Sequence, residues 1–293
     1  MQTSPCAFIG LGIMGAPMAG HLLDAGVPLT VHTRTKSKAD PLLARGARWA
    51  DTPADAARGA ATIFLCLPDT PDVEAVVTGE QGVLTFASRD AVLVDHSTIS
   101  PTATRQFADL ARQRGVWLLD APISGGDVGA KNATLSIMVG GDAAAFQRVL
   151  PLLQLMGKTI THCGPSGTGQ LTKLVNQILV TINNLAACES LVFAKRNGLD
   201  LEKTVSALAG GAAGSWQWAN LGPRMVKGDF APGFMIDLVV KDMRLVADAV
   251  RDSKLDLPAV SLVHHLFVQL QQSGHGRDGT QALFAIVEKL SIK

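Results

Sequence analysis

The chain has 293 residues, of which 47% are hydrophobic and 17% are charged, and this length predicts about two domains with large buried cores. Its formal net charge is +1, and neither sign forms a long run, which argues against nucleic acid or an anionic membrane as the main partner. The opening segment, Met-Gln-Thr-Ser-Pro, lacks the basic start and apolar stretch of a signal peptide.

Cysteine and tyrosine usage restrict the chemistry further. The four cysteines form no C-x-x-C pair, so we expect free thiols in a reducing cytoplasm and no zinc or other metal site. The chain contains no tyrosine. Short-chain dehydrogenases and aldo-keto reductases use a tyrosine hydroxyl as their proton donor. Composition therefore excludes both mechanisms, and any reductase chemistry here needs another acid.

Short β-rich runs alternate with helical stretches in the first half of the chain. Several runs are continuously apolar, which is typical of strands buried on both faces. The alternation predicts βαβ units, and therefore a doubly wound α/β domain with a parallel sheet. The predicted strands are Cys6–Gly10, Leu29–Thr33, Thr62–Leu67, Ala91–His96, Val116–Asp120 and Leu135–Val139, with helices such as Met14–Ala25 and Thr102–Arg114 between them.

The pattern changes after a last short strand, Thr159–Cys163, and the turn Gly164–Gly169. Beyond this turn helical periodicity dominates, beginning with a long helix over 168–197 that ends before Gly198. Polar residues interrupt the apolar part of this helix, so we interpret it as a buried helix of a soluble protein rather than a membrane span. The sequence predicts a first domain over 1–165 and an all-α domain over 166–293, joined by the long helix.

The motif Gly10-x-Gly12-x-x-Gly15 follows a predicted strand and opens a helix, which is the setting of a dinucleotide-binding loop. Gly10 permits the tight turn, Gly12 lets the backbone approach a pyrophosphate, and Gly15 lets the helix pack on the strand. The pyrophosphate is expected at the helix N-terminus, beside Ile13 and Met14. The alternative is a tight turn without a ligand.

The end of the second strand discriminates between NAD and NADP. An NAD site usually carries a carboxylate there for the ribose 2′-hydroxyl, but the first acid after this strand is Asp40. Arg34 can bind a 2′-phosphate through two hydrogen bonds, with Thr35 and either Lys36 or Lys38 assisting. The sequence therefore favours NADP(H) and leaves NAD(H) possible. Alternatively, these side chains are solvated loop charges.

Two later loops are expected to face the cofactor, because ligands bind beyond the carboxyl ends of parallel strands. The first contains Leu67 and Pro68. The second contains Thr98, which could bond to ribose or nicotinamide, or could cap the helix that begins near Pro101.

Two segments carry groups suited to a small carboxylate substrate. Ser124 offers a hydroxyl, and Gly125 and Gly126 expose backbone N–H groups, which together suit a carboxylate. Lys173 and Asn176 are spaced i, i+3 and share a helix face that we expect where the two domains meet. A lysine in a partly apolar cleft has a depressed pKa and exchanges protons near neutral pH. Alternatively, Ser124–Gly126 form an ordinary turn, and Lys173 extends its amine to solvent beside the surface amide of Asn176.

A second lysine, Lys241, lies in an apolar helical stretch beside Asp242. It could line the cleft and contact nicotinamide or substrate, or it could form a surface ion pair. The sequence leaves both interpretations open.

Four segments occur together in an order and spacing that resemble the β-hydroxyacid dehydrogenase family over essentially the whole chain. They are Gly10–Gly15, Asp120–Gly126, Gly169–Asn176 and the pair Lys241-Asp242. The resemblance implies a Rossmann domain followed by an all-helical domain, a small-molecule carboxylate substrate, and a homodimer or homotetramer.

The resemblance also implies roles for individual residues. Lys173 is implied to be the catalytic acid/base with Asn176 as its partner. Ser124, Gly125 and Gly126 are implied to clamp the substrate. Lys241 is implied to be a cleft residue that serves cofactor or substrate.

Within the family, three segments resemble the branch that reduces 2-hydroxy-3-oxopropionate (tartronate semialdehyde). These segments are Lys173–Gln177, Ala130–Gly141 and Arg34-Thr35. Two positions depart from the pattern: Ala133, where the family usually has glycine, and Met235, where this branch often has a basic residue. The alternatives are a 3-hydroxyisobutyrate dehydrogenase and a succinate semialdehyde or glyoxylate reductase.

Three more distant alternatives are distinguished by single features. Imine reductases share the architecture but typically carry aspartate or tyrosine at the position of Lys173. A non-catalytic NADP-binding scaffold is expected to have lost that lysine. A 6-phosphogluconate dehydrogenase is longer and needs a basic phosphate clamp that is not obvious in the second half of this chain.

Overall fold

The structure is a computed structural model that describes residues 4–291. The chain divides into two compact units, the first ending at Lys173 and the second beginning at Leu174. The division falls within a helix, a few residues after the predicted limit at 165, and that predicted domain limit stays a prediction.

The first unit alternates strands and helices as the sequence predicts. Its strands are β1 Cys6–Ile9, β2 Leu29–His32, β3 Arg48–Trp49, β4 Thr62–Leu65, β5 Val92–Asp95, β6 Trp117–Asp120, β7 Ile123–Ser124, β8 Leu135–Gly140 and β9 Gly157–Gly164. Its helices are α1 Gly15–Asp24, α2 Asp40–Leu43, α3 Pro53–Ala57, α4 Thr70–Thr78, α5 Val83–Phe86, α6 Pro101–Gln113, α7 Gly126–Lys131 and α8 Ala143–Leu153, with a 3₁₀ turn at Lys36–Ala39.

The sheet order is β3-β2-β1-β4-β5-β6-β8-β7, and β9 pairs with β8. Every pair from β3 to β6 is parallel, and this part has the 3-2-1-4-5-6 order of a doubly wound dinucleotide-binding sheet. The predicted fold class is thus confirmed. One feature differs from the expected parallel sheet, because β8 runs antiparallel to β6 and β7. Helix α7 has six residues and returns the chain to an antiparallel strand.

The central strands are buried on both faces. Successive side chains of a strand point to opposite faces, and they enter two separate cores here. Phe8 of β1 and Phe64 of β4 stack at 5.9 Å on one face, whereas Ile9 and Leu65 join the core on the other. This double burial explains why β1, β4 and β5 read as continuous apolar runs rather than as alternating patterns.

Ala133, in the turn between α7 and β8, has a φ of 53°. This left-handed conformation is unfavourable for residues with a side chain and favours glycine. The backbone at Ala133 therefore has a conformation that suits the glycine expected there from the resemblance.

Helix α9, Thr168–Arg196, begins in the first unit and continues into the second. The further helices of the second unit are α10 Leu201–Ala209, α11 Gly222–Lys227, α12 Ile236–Asp252, α13 Pro258–Leu270 and α14 Leu283–Leu290, with π-helical segments at Gln217–Leu221 and Gln271–His275 and a 3₁₀ turn at Thr280–Ala282. Within residues 174–291 the structure contains no strand, only an isolated bridge between Met235 and Gly279.

The second unit has its own apolar core, in which α9, α12 and α13 contribute side chains such as Leu191, Met243 and Phe267. Within residues 4–291, α9 is the one helix long and apolar enough to cross a membrane by length and composition. Half of its most apolar window is buried inside the protein. Core helices of soluble proteins have the same length and composition, so this property does not itself indicate a membrane span.

Candidate active site

The glycine loop after β1 has the geometry that its motif predicts. Gly10 has a φ of 99° and donates its N–H to the His32 carbonyl oxygen at 2.9 Å. A Cβ on Gly10 would overlap the Cys66 carbonyl oxygen, and one on Gly15 would overlap the Gly10 carbonyl oxygen. Both glycines are therefore required by the protein's own packing.

Gly12 differs from these two glycines. Its φ lies outside the left-handed region, and a Cβ added there would meet no atom within 4 Å. Ile13, the next residue, is half exposed, and no side chain caps the N-terminus of α1. Open space in front of an uncapped helix start suits the pyrophosphate of a dinucleotide, since its oxygens accept hydrogen bonds from free N–H groups. These residues fit a nicotinamide dinucleotide.

The segment after β2 presents basic side chains to solvent. The Arg34 side chain is 80% exposed, and its Nη1 lies 3.1 Å from Oδ1 of Asp72 at the start of α4. Lys36 Nζ lies 5.2 Å from the centre of the Trp49 ring, and Thr35 and Lys38 are exposed. Arg34 is accessible to a ligand. The carboxylate that pairs with it, that of Asp72, belongs to α4 and not to the end of β2, where an NAD site usually has one.

The loops after β4 and β5 are joined by hydrogen bonds. The Leu67 N–H donates to Ser97 Oγ at 2.8 Å, and Pro68 is exposed. The Ser97 N–H donates to Asp95 Oδ1 at 2.9 Å. Thr98 follows and is partly exposed. The alternative of Thr98 as a helix cap is wrong, because Ser100 Oγ accepts the Ala103 N–H at the start of α6.

His96, also after β5, was not assigned a role from sequence. It is buried, stacks on Phe64 at 5.7 Å and donates from Nδ1 to the Ala121 carbonyl oxygen at 2.7 Å. Burial lowers the pKa of His96 to about 4, so the ring is neutral at neutral pH. His96 therefore does not provide a cationic proton donor in place of Lys173.

Asp120, at the end of β6, anchors the start of α9. Its carboxylate accepts the Gly167 N–H and the Gln170 N–H, each at 2.8 Å. Burial raises the pKa of Asp120, and the N–H groups at the helix start oppose that rise. A Cβ on Gly169 would overlap the Met138 carbonyl oxygen, so the helix meets the sheet edge at close range. The first turn of α9 is thereby held against β6 and β8.

Lys173 is buried one turn further along α9. Its Nζ donates to the Ile123 carbonyl oxygen at 2.8 Å, and Ile123 directly precedes Ser124. Gly125 and Gly126 have φ values of 131° and 63°, which bend the chain sharply between β7 and α7. The structure thus brings the predicted catalytic amine and the predicted carboxylate cradle together at β7. Sequence separation alone could not establish this proximity.

In the second unit, Asn176 begins a chain of polar contacts. Asn176 Nδ2 donates to Gln177 Oε1 at 2.8 Å, and Gln177 Nε2 donates to Asp242 Oδ2 at 2.6 Å. Lys241 Nζ lies 2.6 Å from Asp242 Oδ1. Both members of this ion pair are largely buried, so the interpretation of Lys241 as forming a surface pair is wrong. The sequence placed Gln177 only within a family segment, and gave no sign that it links Asn176 to Asp242.

Together, the sheet order and the glycine loop define a Rossmann domain of the dinucleotide-binding class. Two family models match the chain: the NAD binding domain of 6-phosphogluconate dehydrogenase over residues 5–164, and NAD-binding of NADP-dependent 3-hydroxyisobutyrate dehydrogenase over residues 167–287. The chain belongs to the β-hydroxyacid dehydrogenase family. It is an NAD(P)-dependent oxidoreductase that acts on the CH–OH group of a small molecule.

Similar proteins cover almost the full length of this chain. A 2-hydroxy-3-oxopropionate reductase of Escherichia coli is 42% identical over 97% of this chain and 97% of its own. An NAD-dependent L-serine dehydrogenase of Pseudomonas aeruginosa is 37% identical over 97% of this chain and 96% of its own. The structure of Mycobacterium tuberculosis 3-hydroxyisobutyrate dehydrogenase with L-serine is similar, with a TM-score of 0.89, 31% identity, and 98% and 99% of the two chains covered. The relatives' names differ in substrate.

Proposed function

We propose that this enzyme is an NADP(H)-dependent reductase of 2-hydroxy-3-oxopropionate, acting reversibly on the corresponding hydroxy acid. The observation that carries the proposal is the 2.8 Å hydrogen bond from Lys173 Nζ to the carbonyl oxygen of Ile123, next to Ser124. It leaves a proton donor beside groups suited to a carboxylate. The 42% identity to a reductase of this name supports the choice of substrate.

The proposed mechanism assigns one task to each group. When bound, reduced nicotinamide supplies the hydride, which carries two electrons to the aldehyde carbon. Lys173 gives its proton to the carbonyl oxygen as that oxygen gains charge, and takes it back in the reverse reaction. Asn176 orients the oxygen, while Ser124, Gly125 and Gly126 bind the carboxylate.

Other groups support these tasks. In the proposal, Lys241, held by Asp242, adds positive charge for cofactor or substrate. The backbone at Gly10–Gly15 binds the pyrophosphate, and Leu67, Pro68 and Thr98 contact the nicotinamide half of the cofactor. The homodimer or homotetramer and the cytoplasmic location stay predictions.

A substrate panel tests the proposal. Steady-state rates with NADPH and with NADH are measured on tartronate, methylmalonate and succinate semialdehydes, glyoxylate and a cyclic imine, and in reverse on 3-hydroxyisobutyrate and L-serine. We expect tartronate semialdehyde with NADPH to give the highest kcat/KM, by about tenfold or more, which corresponds to about 1.4 kcal/mol of transition-state binding. A higher kcat/KM for any other compound in the reducing direction contradicts the substrate assignment. Cofactor binding without any turnover would indicate a scaffold.

The NADP preference is tested at Arg34. Replacing Arg34 with alanine is expected to lower kcat/KM for NADPH by about tenfold or more and to leave NADH nearly unchanged, because only NADPH has a 2′-phosphate for the guanidinium to bind. Replacing Asp72 with asparagine is expected to strengthen NADPH binding, since it removes a negative charge 3.1 Å from Arg34.

The matched control is Arg251→Ala, which removes another exposed arginine paired with a carboxylate, that of Asp248. It should change neither cofactor's kcat/KM. Equal losses with NADPH and NADH in Arg34→Ala contradict the proposed 2′-phosphate contact and leave the substrate assignment untouched.

A further inference from the structure

Gln170, in the first turn of α9, has a fully buried side chain whose amide is bonded at both ends. Its Nε2 donates to the Ser97 carbonyl oxygen at 2.8 Å, and its Oε1 accepts the Ile99 N–H at 3.2 Å. The two bonds flank Thr98. One amide therefore fixes the backbone on both sides of the threonine that the proposed function places beside the nicotinamide.

The main chain of Gln170 is fixed as well. Its N–H donates to Asp120 Oδ2 at 2.8 Å, which ties this residue to the end of β6. Lys173 follows three residues later on the same helix, and its Nζ bonds to the Ile123 carbonyl oxygen just beyond β6. Gln170 is thus the residue at which the loop after β5, the end of β6 and the helix that carries Lys173 are bonded together.

We propose that Gln170 is a positioning residue for hydride and proton transfer, which sets the distance between Thr98 and Lys173. This proposal rests on the proposed function, because it takes the roles of Thr98 and Lys173 from there. A displacement of about 1 Å in a reacting geometry can lower a rate by up to about a hundredfold, so a bonded connection between the two positions has kinetic consequences. Gln170 itself need not touch substrate or cofactor.

Two substitutions separate the parts of this contact. Gln170→Met keeps much of the side-chain volume and removes both hydrogen bonds. Gln170→Glu keeps an acceptor for the Ile99 N–H but, when ionised, turns a carboxylate oxygen toward the Ser97 carbonyl oxygen. When protonated, the glutamic acid has an O–H that can donate to Ser97 and a C=O that can accept from Ile99, as the amide does.

Kinetics of these variants on the full-length enzyme test the proposal. For Gln170→Met we expect kcat to fall by about tenfold or more while the Kd for NADPH changes little. The primary deuterium isotope effect, measured with NADPH deuterated at the transferred position, is expected to increase, because hydride transfer becomes slower relative to product release.

Gln170→Glu adds a readout that depends on pH. Its kcat, divided by that of the unmodified enzyme at each pH, is expected to rise as the pH falls and the new carboxyl group becomes protonated. The titratable groups around this site are Asp95, His96, Asp120 and Lys173, which are present in both enzymes and to which the new carboxyl group couples.

The matched control is Asp142→Ala. Asp142 caps α8 in the same unit by accepting the Ala145 N–H at 2.8 Å, and it has no part in the proposed site. It should lower Tm and leave kcat and the isotope effect unchanged. The positioning role is overturned if Gln170→Met behaves like Asp142→Ala, with a lower Tm but an unchanged kcat and isotope effect. If Lys173→Met keeps full turnover, the role of Lys173 in the proposed function is wrong, a result that is distinct from any outcome of the Gln170 variants.

Discussion

Replacing Lys173 with methionine is expected to reduce kcat by a factor of about 10² to 10⁴, the usual contribution of a general acid or base. Methionine keeps an unbranched apolar stem but cannot donate a proton to the substrate oxygen. It also leaves the Ile123 carbonyl oxygen without its 2.8 Å donor, which is expected to cost about 1 to 3 kcal/mol of stability. Activity, Tm and the Kd for NADPH are measured on the same preparation.

The loss must be separated from unfolding. Lys195→Met is the matched control, because Lys195 lies on the same helix but is half exposed and paired with Glu288. It should retain the turnover of the unmodified enzyme. A folded Lys173→Met that binds NADPH normally and keeps kcat would show that another group supplies the proton.

Replacing Gly12 with alanine is expected to raise the Kd for NADPH and NADH alike by about a hundredfold, or about 2.7 kcal/mol, without lowering Tm. The new methyl group would meet no protein atom within 4 Å, so it does not disturb the fold. It would occupy the space in which the backbone must approach the pyrophosphate. Fluorescence titration with each cofactor and thermal unfolding provide the measurements.

Two other glycines show whether the effect is specific. Gly210→Ala is the matched control, because a Cβ at Gly210, after α10, also meets nothing within 4 Å, and the Kd should stay unchanged. Gly15→Ala should lower Tm, since its Cβ would overlap the Gly10 carbonyl oxygen. If Gly12→Ala binds both cofactors normally, the dinucleotide does not lie against this turn.

Most elements of the fold were predictable because their signals are local. The strand at Cys6–Ile9 and the helix at Thr168–Arg196 lie within a residue of their predicted limits, since apolar runs and the stop at Gly198 mark them in the sequence. The two-residue strands Arg48–Trp49 and Ile123–Ser124 were missed. Such short segments carry no periodicity, and they become strands only through pairing with β2 and β8.

Site residues divide in the same way. The packing roles of Gly10 and Gly15 were predictable, because the backbone of a single turn sets them, whereas the cofactor contact of Gly12 stays a prediction. The contacts of Asp120 and Gln170 were not, because their partners are separated by 47 to 73 residues. Neither a carboxylate that caps a distant helix nor an amide that bridges a distant loop has a sequence pattern.

By itself, the sequence indicated the class of enzyme: the glycine loop predicts a dinucleotide, the missing tyrosine excludes two reductase mechanisms, and the segment with Lys173 and Asn176 is one of four that resemble the β-hydroxyacid dehydrogenases. Only the tertiary structure decided that Lys173 Nζ meets the chain beside Ser124, that Arg34 is paired with Asp72, and that Gln170 joins the Thr98 loop to α9. The reason is physical. A motif defines the conformation of one turn, whereas a reacting geometry depends on which distant strand ends the sheet order brings together.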